Sequence, residues 1–387
     1  MTTEFDEIRP YEDEELPQVF EELIADPAFQ KVACAVMPGV PFEHIAQKMR
    51  SSKTKREFQL NCCYGILRDI MQKLTGGVSL DHTALSDKQA AYTYISNHRD
   101  IVLDSGFLSL LLVDQGMDTV EIAIGDNLLI YPWIKKLVRV NKSFIVQRAL
   151  TMRQKLESSA RLSRYIHYAI ARKRQSVWIA QREGRAKDSD DRTQESVLKM
   201  LSMGGEGDVA DRLCELNIVP LAISYEYDPC DYLKAQEFQL KRDMPGYKKT
   251  TADDLLNMQT GLMGYKGRVH FQVAPCINEA LRAMDCSRPK AELFCSIAAL
   301  IDKGIHSNYR LYPNNYIAHD LLTGTHEFAA HYTMEEFRQF EQYIDRQLQR
   351  ITLPQKDEPF LREKLCLMYA NPLKNSLRAA ASPGSES

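Results

Sequence analysis

The stretch Tyr94-Ile-Ser-Asn-His-Arg-Asp-Ile-Val-Leu-Asp-Ser105 sets one histidine beside two aspartates, at the seam between two apolar runs. A neutral imidazole can take a proton from a hydroxyl at physiological pH. It then needs a partner on its other nitrogen to fix the tautomer, and an aspartate suits that task. His98 is therefore a candidate general base, set against the plainer reading of a solvated or capping histidine. Two carboxylates compete to orient it. If Asn97 caps the following helix, Asp100 stands at the third helical position, where a carboxylate favours the helix dipole and closes a capping box. Asp104 lies further in, between Leu103 and Phe107, with less local reason to be there. Asp104 is the preferred partner and Asp100 its rival. The tripeptide His-Arg-Asp is not a protein-kinase catalytic loop: position 105 is Ser rather than Asn, and neither a Gly-rich phosphate loop nor Asp-Phe-Gly accompanies it.

Further along, Arg148 closes the apolar run "NKSFIVQR", and Arg182, Arg185 and Lys187 crowd the loop "QREGRAKD". An arginine fork binds phosphate bidentately, and Gly184 lets backbone approach a ligand. The same charges also read as a solvated loop balanced by Asp188, Asp190 and Asp191. Glu183 serves either as a surface residue or as a ligand to an acceptor hydroxyl. His319, His326 and His331 lack a metal-site spacing. The basic residues Arg161, Arg164 and Arg172-Lys-Arg174 belong to a solvated helix face that could also meet anionic headgroups.

The elements that must hold these residues follow from periodicity. "AAYTYIS", "TVEIAIG", "FIV", "SVWIA", "IVPLAISYE" and "GRVHFQVA" read as strands, and a further short strand is expected at "VRV". "RDIVLDSGFLSLLLVDQG" reads as a helix capped by Ser96 or Asn97 and closed near Gly116. Apolar positions at Phe58, Cys62, Ile66, Ile70 and Leu74 mark an amphipathic helix that ends at Gly76-Gly77. Helices are also expected near 128–137, 149–173, 194–202 and through 277–375. Strands alternating with helices imply an α/β fold, with a mainly parallel or mixed central sheet flanked by helices, a helical N-terminal lead and a helical C-terminal region. In such sheets ligands bind beyond the carboxyl ends of strands, and the polar clusters at 96–104, 181–188 and 225–231 fall there. The expected organisation is a loose acidic N-terminus (1–18), a helical lead (19–80), a catalytic domain (81–280), a helical region (281–375) and a disordered tail (376–387).

These motifs in this order resemble the glycerolipid acyltransferase superfamily of glycerol-3-phosphate and lysophosphatidate acyltransferases. "SNHRDIVLDSGFLSLLL" is similar to its first motif, His-x4-Asp between a strand and a helix. "NKSFIVQR" resembles the second, "QREGRAKD" the third and "IVPLAISYE" the fourth. Here five residues, not four, separate His98 from Asp104; sliding the apolar helix onto the family pattern favours Asp104. Arg182 precedes Glu183 where a small residue or proline is usual, and Arg185 follows Gly184 directly. The resemblance implies that His98 and Asp104 act as base and orienter, that Arg148 and Arg185 grip an acceptor phosphate, and that Glu183 and Gly184 shape the substrate loop. It further implies an acyl-CoA or acyl-carrier protein as donor, with glycerol 3-phosphate or lysophosphatidate as acceptor and no metal or cofactor. The rivals are a lipid hydrolase using the same His/Asp pair and a non-catalytic module that binds lipid phosphate.

Composition sets the outer bounds. The chain has 387 residues, of which 44% are hydrophobic, with a net charge of -3, so nothing marks it as a nucleic-acid binder. The nine cysteines have neither redox nor metal spacing and read as free thiols in a reducing cytosol. The acidic N-terminus has no signal-peptide core, and no run nears the ~20 apolar residues of a membrane span. A cytoplasmic protein resting peripherally on the cytoplasmic membrane face is the expected location, with the N-terminal 75 residues as the contact.

Overall fold

The computed structural model describes residues 4–148 and 151–381. Its centre is a seven-stranded sheet. The strands are β1 (Val78–Asp81), β2 (Thr93–Ser96), β3 (Glu121–Gly125), β4 (Ser143–Val146), β5 (Val177–Ala180), β6 (Ile218–Tyr225) and β7 (Val269–Val273), in the order β1-β7-β6-β2-β5-β3-β4. β2 lies parallel to both β5 and β6, and β3 is parallel to β4 and β5. β7 runs antiparallel to β6 and carries β1 parallel to itself. The sheet is thus mixed, with the five strands around β2 parallel.

The central strands are continuous apolar runs because both of their faces are covered. Every residue of β2 and β6 is buried. One face packs on the helix Leu103–Asp114, through Leu103, Phe107, Leu108 and Leu111. The other packs on helices Met152–Ala171 and Lys290–His306, through Leu162, Ile166, Ile297 and Ile301. Pro220 is tolerated inside β6 because the pairing with β7 begins only at Leu221.

Four expectations need correction. "VRV" at 138–140 closes the helix Pro132–Val140 rather than forming a strand. Residues 4–18 are not loose: Ile8 is buried, its carbonyl accepts the Ile145 N–H at 2.9 Å, and Arg9 pairs with Asp6 and Glu15. The last helix, Glu358–Ala381, runs past the expected boundary at 375, with Ala379 buried; of the tail only 382–387 lies outside the described residues. The first-motif helix starts at Leu103, and Asn97 does not cap it.

The C-terminal helices hold a buried acid. Asp231 accepts hydrogen bonds from the Tyr343 and Tyr369 hydroxyls at 2.6 and 2.7 Å. Burial outweighs those donors and pushes its carboxyl up to about 7. An unfolded aspartate titrates near about 3.9, so the folded state holds the extra proton between those values. Its contribution to stability is complete below the unfolded value and is lost as pH rises through the folded one. Urea unfolding of Asp231→Asn should therefore lose about 1.4 kcal/mol less than wild type between pH 6 and pH 8. An unchanged pH slope would show that Asp231 is not the group responsible.

Candidate active site

His98 leaves the carboxyl end of β2, the central strand of the seven-stranded sheet. Its side chain is 14% exposed, with Nδ1 2.7 Å from Asp104 Oδ2. The same Asp104 oxygen accepts the backbone N–H groups of Arg99 at 2.6 Å and Asp100 at 3.0 Å. An oxygen that gathers backbone donors makes Nδ1 the protonated ring nitrogen. Nε2 is left with its lone pair, the state a general base requires. Trp178 of β5 meets the imidazole edge-on at 5.4 Å and donates its own Nε1–H to Ser96.

The extra residue between His98 and Asp104 has a physical place. Residues 99–102 turn around the Asp104 carboxylate, which takes the two backbone donors at the start of that turn. Asp100 ends the turn, its Oδ1 accepting the N–H of Val102 at 2.9 Å and Leu103 at 2.8 Å. It is the side chain that caps the helix, and it makes no hydrogen bond to His98. Asn97 instead clamps β6, donating to the Ile223 carbonyl and accepting the Ile223 N–H. Arg99 turns away from His98 into a buried bidentate pair with Asp191.

Charge is dense under the histidine. Burial, and then the adjacent Asp104, push the Asp100 carboxyl up. Burial, with Asp104 and Asp100 nearby, keeps the Tyr225 phenol firmly protonated. Lys266, wholly buried, is drawn down to about 8 by burial, against the pull of Asp100. Its ammonium donates to the carbonyls of Leu262 and Gly264.

The two candidate phosphate arginines have separate partners. Arg148 lies over Gly125, whose bare Cα leaves room for the guanidinium, and pairs with Glu183 at 3.3 Å. The second and third motifs are thus joined through Arg148 and Glu183. Gly184 takes a left-handed φ of 68°, which turns the loop between Glu183 and Arg185. Arg185 reaches the other way, donating Nη2 to Asn257 Oδ1 at 3.1 Å, and its buried Nη1 has no hydrogen-bond partner. Lys187 ends against the buried Glu237, which Lys241 and Lys249 also approach at 3.0 Å.

Sequence reasoning missed Asn257, Cys230 and Lys266. Cys230 Sγ donates to the Asn257 carbonyl at 3.2 Å, tying the helix Thr251–Met263 to the chain after β6, while Arg185 ties it to the third-motif loop. No local pattern announced this, because each of these partners is distant in sequence from the motif it supports. A solvent-open cleft lies between residues 59–67 and the first-motif helix. Leu60, Leu67, Leu110, Val113 and Ile122 line it. The chain at its rim makes a π-helical turn, Gln59–Cys63, in the stretch expected to be regular helix.

The arrangement is a histidine–aspartate pair beside a basic loop. The family model described as acyltransferase matches residues 81–224, from the last residue of β1 almost to the end of β6. That segment contains His98, Asp104, Arg148, Glu183, Gly184 and Arg185. Over that segment the chain is similar to acyltransferases. Among solved structures, the chain is similar to the 1-acyl-sn-glycerophosphate (LPA) acyltransferase PlsC from Thermotoga maritima. That match has 9% identity, covers 76% of this chain and 94% of the other, and has a TM-score of 0.37. No curated protein sequence matches the chain.

Proposed function

We propose that the protein transfers a fatty acyl group from acyl-CoA or acyl-carrier protein to a hydroxyl of glycerol 3-phosphate or lysophosphatidate, a step of phospholipid synthesis. The observation that carries the reading is the 2.7 Å bond between His98 Nδ1 and Asp104, with Nε2 left free at the carboxyl end of β2. In this reading Nε2 takes the acceptor hydroxyl's proton as that oxygen attacks the thioester carbonyl. Asp104 holds the imidazole and steadies the imidazolium. The tetrahedral intermediate then expels the thiolate, the C–S bond breaks, and the proton passes from His98 to the departing sulfur. The products are the ester and the free thiol.

Arg185 is the stronger phosphate ligand of the pair, because its Nη1 has an unmet donor. Arg148 joins it on releasing Glu183, which with Gly184 shapes the acceptor's loop. The chemistry requires neither metal nor cofactor. The cleft beside Leu110 holds the acyl chain. The protein works at the cytoplasmic face of the membrane, as a peripheral protein. No helix among the described residues is long and apolar enough to cross a membrane.

An acceptor screen with labelled acyl-CoA and acyl-carrier protein tests this. Acylation of a phosphorylated glycerol or lysolipid supports it. Fatty acid release without acceptor would mean a hydrolase instead, and lysolipid binding without turnover a binding module. The chain-binding role has its own check. Ser109 lines the cleft with a buried hydroxyl that has no partner, so a larger apolar side chain fits its surroundings. Ser109→Phe should lower activity with long-chain donors about ten-fold relative to short-chain ones. An equal effect on both would remove the cleft from the reading.

A further inference from the structure

The helix Thr251–Met263 is reversed in polarity. At helical spacing its outward stripe is Thr251, Ala252, Leu255, Leu256, Gln259 and Met263, all exposed and none charged. Leu255 is 42% exposed, Leu256 46% and Met263 62%. The inward residues are the polar and small ones, Asn257 and Gly261, both buried. A surface helix ordinarily places its apolar stripe on the core and its charges in water.

The inward face explains half of the reversal. Asn257 receives the Arg185 guanidinium, and Gly261 sits directly on the Asp100 carboxylate with no room for a Cβ. The helix is a wall of the candidate site. The outward face has no such partner. The preceding helix, Asp231–Asp243, closes at Met244, 54% exposed, and the chain after Met263 presents Tyr265, 57% exposed. Within "KRDMPGYKK" (241–249), Lys241 and Lys249 share the single carboxylate of Glu237, Arg242 is paired with Asp243 and Asp357, and Lys248 adds a further positive charge.

We infer that this face is where the catalytic domain rests on a lipid surface. Leu255, Leu256 and Met263 enter the headgroup boundary, and the basic segment 241–249 meets anionic headgroups. An uncharged apolar stripe flanked by lysine and arginine is the composition of an interfacial helix. The choice of lipid as occupant rests on the acyltransferase reading, in which donor chain and product are both lipids. Docking through the wall of the site brings the cleft to the bilayer, so the acceptor need not cross water. The expected contact in the N-terminal lead is a separate surface. There Val32, Val36 and Val40 are exposed on and after the helix Pro27–Val36.

Co-sedimentation of the full chain with vesicles tests the inference, one set of phosphatidylcholine alone and one with added phosphatidylglycerol. Wild type should bind both, more tightly with the anionic lipid, and the anionic increment should fade in high salt. The triple variant Leu255→Ser/Leu256→Ser/Met263→Ser should bind about ten-fold more weakly to both. Its circular dichroism melt should be unchanged, since all three side chains are exposed. Val32→Ser/Val36→Ser/Val40→Ser is the comparison. The inference is overturned if wild type binds neither vesicle, or if the first triple variant binds like wild type. It is also overturned if that variant's only effect is to turn a dimer into a monomer in sedimentation velocity. Because binding is read without turnover, a failed acceptor screen and a failed docking face are told apart.

Discussion

His98→Ala should lower kcat for acyl transfer by about 10²–10⁴-fold while leaving the KM of donor and acceptor nearly unchanged. The size follows from the lack of a substitute base among its neighbours. Asp104 is wholly buried and faces the backbone donors of Arg99 and Asp100. Asp100 is committed to the N–H groups of Val102 and Leu103, and Glu183 to Arg148. The loss belongs to kcat because the imidazole contributes a proton transfer, made only as the reaction proceeds. The ring touches the edge of Trp178 and sits at the rim of the core, so its removal should leave thermal melting close to wild type. Steady-state thiol release with saturating donor and acceptor measures the effect. Full activity in the variant would remove His98 from the chemistry.

What could be read from the sequence divides by the range of the interaction. β2, β5 and β6 were legible because burial on two faces writes an unbroken apolar run. β1 was not: "VSLD" is only partly buried and alternates with polar residues, so nothing separates it from a loop until β7 pairs with it. The seam itself was legible in type. His98 and its two aspartates stand where a strand becomes a helix, and both carboxylates had distinct local prospects. The cap assignment went astray because Asn97 finds its partner on Ile223, far along the chain. The acidic N-terminus looked loose for the same reason. Its order comes from the Ile8 carbonyl on Ile145 and from Arg139, which donates to the carbonyls of Arg9 and Asp6.

The basic loop shows the limit of residue type as evidence. Arg148 and Arg185 were indistinguishable as cations after apolar or glycine-containing runs. Geometry separates them: one is held by the neighbouring Glu183, and the other reaches Asn257 with an N–H to spare. A motif names which residues are rich in chemistry. The partner that each one already has decides how much of that chemistry remains for a ligand.

Asp104→Asn against Asp100→Asn is the sharpest test of the dyad. The asparagine at 104 can keep its oxygen where Oδ2 is, since three donors converge there: the His98 Nδ1–H and the N–H groups of Arg99 and Asp100. Turning the amide over would set its N–H groups against all three, so the backbone itself resists the flip. The histidine should therefore keep its tautomer, and the loss should come from the missing negative charge beside the imidazolium. We expect a fall in kcat of about 10²-fold, smaller than the ~10⁴-fold seen when an aspartate-to-asparagine change also reverses the tautomer. Asp104→Ala should be worse in a second respect, because it strands buried donors and lowers stability as well. At position 100 asparagine caps a helix about as well as aspartate, and the substitution relieves a buried carboxyl pushed up by burial and by Asp104. Asp100→Asn should keep kcat within about two-fold, since its side chain hydrogen-bonds the turn it caps and not His98. Parallel measurement of kcat, KM and urea midpoint for the three variants resolves these effects. If Asp100→Asn proves the damaging change and Asp104→Asn the mild one, the orienting role moves to Asp100 while His98 stays the base.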